Sequence, residues 1–96
     1  MSLLVNPAHP GEVLSELYLK PLGMSAIALA RRLEVPRTRI ERLVKQETAL
    51  SADSAIRLAT FFGTTPEYWL NLQRGWDLAC AQSTVDVSRI KPLEAA

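Results

Sequence analysis

The chain has 96 residues, 48% apolar and 22% charged, a composition ordinary for one globular domain and a length too short for two. Its longest apolar run, Ala26 to Ala30, falls far below the about 20 residues that cross a bilayer, Met1 to Pro7 has no basic start or apolar stretch of signal-peptide length, and Cys80 has no partner for an intrachain disulfide, so no membrane is expected and the cytoplasm is the expected compartment. A single histidine beside a single cysteine excludes a Cys/His zinc cage, and the few glycines form no phosphate loop, so no metal or cofactor is expected.

Five segments carry helical periodicity, and strict alternation begins only at residue 84, so the expected class is all-α. The first helix is expected to open at Pro10, with His9 as its cap and Glu12 at its positive end, and to stop near Pro21. Val13, Leu14, Leu17 and Tyr18 recur at three- and four-residue steps and should line one side. Ser25 suits the N-cap of a second helix, in which Ala26, Leu29, Ala30 and Leu33 form an inward stripe. Glu34-Val35-Pro36 interrupts that pattern, and the proline can start a third helix reaching about Lys45. At about 100° per residue, Ile40, Leu43 and Val44 centre near 0°, while Thr38, Lys45 and Arg42 fall near 160°, 140° and 200° and point away from the core. Ser51 can cap a fourth helix that buries Ala55, Leu58, Ala59 and Phe62 and closes at Gly63. Thr65-Pro66-Glu67 starts a fifth, expected to reach about Gln82, with Trp69, Leu72, Trp76, Ala79 and Cys80 as its stripe and Leu70 and Leu78 outside it, either as ordinary surface residues or as part of a dimer surface. The expected organisation is an arm over 1–8, a helical domain over 9–82 and a tail over 83–96.

Net charge is only +1, but its distribution is uneven. From Arg31 to Lys45, six basic residues face Glu34 and Glu41, a net +4, and the five basic and eight acidic residues elsewhere leave −3. Such a patch suits a phosphate backbone; by charge alone, a solvated helix face stays equally open. The short connection between the second and third helices points to DNA, because it is the length of a helix-turn-helix, whose second helix lies in the major groove. Arg37, Thr38, Glu41 and Arg42 would then face the groove, with Arg39 and Lys45 nearer phosphates. An arginine can donate two parallel bonds to a guanine edge. Glu41 either accepts from a cytosine amino group or pairs with Lys45, and the Glu–Lys pair one turn apart is preferred. Ser25, Thr48 and Ser51 are candidate backbone contacts, with simple capping or loop roles as the alternatives.

Leu29-Ala30-Arg31-Arg32-Leu33-Glu34-Val35-Pro36-Arg37-Thr38-Arg39-Ile40-Glu41-Arg42-Leu43 is similar to the helix-turn-helix of lambda-repressor and Cro-like (XRE) regulators. With His9-Pro10-Gly11-Glu12-Val13-Leu14 in front, and Ala55-Ile56-Arg57-Leu58-Ala59 and Phe62 to Gln73 behind, the set resembles the HigA-type antitoxins, the VapI group, over roughly residues 7 to 82. The resemblance implies a compact five-helix lambda-repressor-like domain that dimerises through its last helix, binds operator DNA as that homodimer, represses its own operon and neutralises a HigB-type, RelE-like mRNA endonuclease. It carries DNA reading onto Arg37, Thr38, Arg39 and Arg42. Two positions depart from the pattern: Pro36 stands where a capping serine is frequent, and Gln46 where glycine often ends the third helix.

Val85 and Val87 share one side of an extended segment, which either adds to another sheet edge or stays loosely ordered; Leu3-Leu4-Val5 could pack on its own domain or on a partner. A stand-alone regulator, and an interaction module that has lost DNA binding, are the competing functions. No enzyme is expected, since one histidine near a proline-rich start offers no base and partner.

Overall fold

The computed structural model describes residues 7–94; Leu3-Leu4-Val5 lies outside them. Five helices follow in order, α1 (Pro10–Leu22), α2 (Ala26–Leu33), α3 (Arg37–Val44), α4 (Ala52–Phe62) and α5 (Pro66–Thr84), with no strand among the described residues. The expected caps form. His9 Nδ1 accepts from the Gly11 amide at 2.9 Å, Ser25 Oγ from Ala28 at 3.0 Å, Ser51 Oγ from Ser54 at 3.2 Å and Thr65 Oγ1 from Tyr68 at 3.1 Å, each satisfying an amide that the helix itself cannot. Gly63 closes α4 at φ +70°, a left-handed conformation without penalty for glycine.

Helix α1 departs from plain α periodicity. Leu14–Leu19 forms a wide π turn, in which the Lys20 amide bonds to the Ser15 carbonyl five residues back. The turn ends two residues before Pro21, which has no amide to continue an α ladder and crowds the carbonyl one turn earlier. A five-residue step sets Leu19 over Leu14, so Leu19 is buried and Leu17, expected inside, is exposed.

Leu14, Leu29, Ile40, Leu58 and Trp69, one from each helix, meet in the fully buried centre. Each large side chain removed from water contributes about 1.5–3 kcal/mol. The Trp69 indole donates to Thr64 Oγ1 at 2.8 Å, and Tyr18, Phe62 and Tyr68 gather around its ring. At Gly11, α1 lies directly against α3: a Cβ there would fall 1.7 Å from the Leu43 carbonyl oxygen, so only glycine permits the crossing. On α5 the expected stripe fades along the helix: Trp69 is buried, Leu72, Trp76 and Ala79 are half-buried, and Cys80 is exposed. Among the described residues the helical cluster buries only Trp69 and Gln73 of this 19-residue helix, both in its first half. α5 runs to Thr84, and Val85 and Val87 lie beside Leu78, Ala81 and Gln82 as exposed non-helical chain.

Candidate nucleic-acid interface

The short connection turns α2 into α3 through one left-handed residue and a proline. Glu34 takes φ +60°, its amide bonding to the Arg31 carbonyl and that of Val35 to the Ala30 carbonyl, which closes α2. Pro36 is the N-cap of α3 rather than its first residue; with no side-chain acceptor to offer, it contributes its carbonyl, which takes the Arg39 amide at 3.0 Å. α3 is then clamped by Ile40 and Leu43, both buried, while Arg37, Thr38, Arg39, Arg42 and Lys45 are all exposed on its other sides. Thr38, Arg39, Arg42 and Thr48 border one polar concavity of about 430 Å³ together with Pro36 and Ser51. Arg37 and Lys45 stand outside it, at the two ends of α3, and Ser25 lies apart at the start of α2.

Two side-chain arrangements differ from expectation. Glu41 is half-buried and, among the described residues, makes no ion pair with Lys45. Lys45 is the C-cap, at φ −82° and ψ 0°, its amide still bonded to the Glu41 carbonyl at 3.1 Å while its side chain is exposed. Arg39 is drawn sideways: its Nη1 donates to Asp53 Oδ1 on α4 at 2.6 Å. The same oxygen accepts from Arg57 Nε at 2.8 Å, and Arg57 Nη1 donates to the Leu33 carbonyl at the end of α2, also at 2.8 Å. The hydrogen bonds from Arg57 and then Arg39 hold the Asp53 carboxyl below the usual carboxylate range.

Gln46 follows α3 at φ +62°, with its amide on the Leu43 carbonyl and that of Glu47 on the Arg42 carbonyl. The chain therefore ends α3 in the geometry glycine favours, without glycine. The loop that follows is fastened to α5 from inside: buried Gln73 accepts the Leu50 amide at 2.7 Å through Oε1 and donates from Nε2 to Asp77 at 2.8 Å. His9, also buried, sets its ring edge-on to Trp76 at 5.3 Å and hydrogen-bonds to the Thr48 backbone. Burial lowers its pKa, partly opposed by that bond and by the Asp77 and Glu12 charges. The sequence pattern alone does not place Asp53, Arg57 and Gln73 at the interface. The four-residue spacing of Asp53 and Arg57 on a helix was a visible signal, whereas the links from Asp53 to α3 and from Gln73 to Leu50 exist only in three dimensions.

An amphipathic pair of helices joined by a tight turn, with the second offering arginines to solvent and resting its apolar side on the core, defines a helix-turn-helix protein. The family model described as helix-turn-helix matches residues 16–69. Virulence-associated protein I of Dichelobacter nodosus is 45% identical over 86 residues, covering 88% of this chain and 80% of that protein. The Pseudomonas aeruginosa antitoxin HigA with the higBA promoter superposes with TM-score 0.84 at 36% identity, covering 92% of this chain and 99% of that one. Antitoxin GraA in complex with its operator gives 0.87 at 38% identity, covering 99% of each chain. The chain belongs to this XRE-type helix-turn-helix family, in the group of the HigA-type antitoxins.

Proposed function

We propose that this chain is an antitoxin that binds operator DNA as a homodimer, with α3 in the major groove, and so represses its own operon. The observation that carries this reading is the pairing of a buried Ile40–Leu43 side with exposed Arg37, Thr38 and Arg42 on the same short helix. Arg42 and Thr38 are assigned to base edges, Arg37 to the groove entrance, and Arg39, Lys45 and Thr48 to the backbone, with Ser25 a backbone contact from α2. HigA with the higBA promoter and GraA with its operator support DNA as the ligand. The same reading gives the chain a HigB-like, RelE-like endonuclease as protein partner, which it holds inactive.

Anisotropy titration of a labelled promoter fragment tests the DNA half. Wild type is expected to bind with a steep loss of affinity as salt rises, since each neutralised phosphate releases counterions. Arg42→Ala is expected to cost about 1–3 kcal/mol and to relax preference at one base pair. Unchanged affinity removes Arg42 from the interface. Mixing the chain with the product of the adjacent gene, and measuring complex mass and mRNA cleavage, tests the other half: no complex and no inhibition would leave a stand-alone regulator.

A further inference from the structure

Asp53 has the wrong charge for its place. It lies exposed in the first turn of α4, bonded to Arg39, which borders the polar concavity beside α3. A carboxylate near a phosphate backbone opposes binding, so by charge alone its removal strengthens affinity for any duplex. Its contacts point the other way. One oxygen of Asp53 takes Arg39 at 2.6 Å and Arg57 at 2.8 Å, and Arg57 continues to the Leu33 carbonyl at 2.8 Å. α3 and the end of α2 are thereby joined through one carboxylate, in addition to the turn between them. As an exposed ion pair this tie adds little to folding. Its larger effect falls on Arg39, a long side chain that loses much rotamer freedom when a ligand orders it, and that Asp53 orders beforehand.

We propose that Asp53 is a positioning residue for operator recognition: it holds the Arg39 guanidinium at one place on the rim of the concavity, favouring a duplex whose backbone puts a phosphate there. This role rests on α3 docking into duplex DNA as proposed above. Phosphate contacts fix the register in which base-reading side chains meet the groove, so a fixed Arg39 discriminates between duplexes of different shape.

Anisotropy of the full chain against a labelled promoter duplex and a scrambled duplex of equal length separates charge from positioning. Asp53→Ala is expected to weaken the promoter complex about three- to tenfold, the effect of freeing one long side chain, and to hold or tighten the scrambled complex. In an Arg39→Ala background the same substitution is expected to cost nothing on the promoter duplex. Equal tightening of both complexes, or a promoter loss that persists without Arg39, overturns the positioning role. A large fall in the melting temperature of Asp53→Ala also overturns it, assigning the tie to folding. A wild-type chain that treats both duplexes alike overturns the DNA-recognition reading itself, and this role with it.

Discussion

Gln46 and His9 show how single residues set the conditions under which the interface exists. Gln46 occupies a left-handed backbone conformation at φ +62°, where a Cβ crowds the neighbouring carbonyl. Gln46→Gly is expected to raise stability by about 1 kcal/mol, because relief of that strain outweighs the greater entropy of a glycine in the unfolded chain; thermal denaturation checks it, and a fall in melting temperature would mean that the glutamine side chain contributes contacts beyond its backbone. His9 works through its proton. Its pKa is lowered in the fold, chiefly by burial, so the unfolded chain binds a proton more readily than the native one. Stability should therefore be complete above the ordinary value of 6.5 and decline as pH drops from there toward the lower folded value. Asp53, also lowered, loses its contribution only at much more acid pH, below 3.8, so the two titrations separate. Melting curves between neutral pH and pH about 5 should show the decline in wild type, and a flatter profile in His9→Gln over the same window. That the lone histidine caps α1 was legible from its place before Pro10; its burial against Trp76 and the Thr48 loop was not, because both partners are distant in the chain.

At the scale of elements, local chemistry announced most of what formed. Ser25, Ser51 and Thr65 cap the helices they precede, and the apolar stripes of α2, α3 and α4 turn inward. The wide turn in α1 escaped because its cause, a proline inside the helix, reads equally well as a stop signal, and the resulting shift exchanged Leu17 for Leu19 in the core. The crossing of α1 and α3 was also hidden: Gly11 carries no pattern of its own, yet its missing Cβ lets the two backbones touch. Gly11→Ala forces a new methyl into the Leu43 carbonyl, and that backbone atom belongs to the helix proposed to read DNA. A loss of about 3 kcal/mol in denaturant unfolding is expected, at the upper end of overpacking costs, together with weaker promoter binding in the molecules that remain folded. Stability and affinity near wild type would show that α1 can move aside without carrying α3 with it.

The whole molecule is longer than its core requires. Its described residues extend over 57 × 27 × 22 Å, with α5 and the chain after it reaching past the helical cluster, and the later residues of α5 are mostly exposed. Periodicity alone placed Cys80 in a core stripe because a helical wheel does not know where the neighbouring helices end. Leu78 is 56% exposed and borders apolar concavities on both sides, one with Leu70 and Ala81, the other with Val85 and Val87. An exposed apolar end of α5 is the surface we assign to the contact between copies in the proposed homodimer, a contact that would also set the distance between two recognition helices, which successive major grooves require to be about 34 Å. Leu78→Glu places a charge on that contact without touching the domain core. Sedimentation should show wild type as a dimer at micromolar concentration and Leu78→Glu shifted to monomer, with the melting temperature of the monomer reporting an intact domain. Promoter affinity should fall by far more than the change of one surface charge explains, because two half-sites are then filled by separate binding events instead of one. A variant that stays dimeric puts the contact elsewhere on the molecule, and a monomeric variant with full promoter affinity would separate dimerisation from DNA recognition altogether.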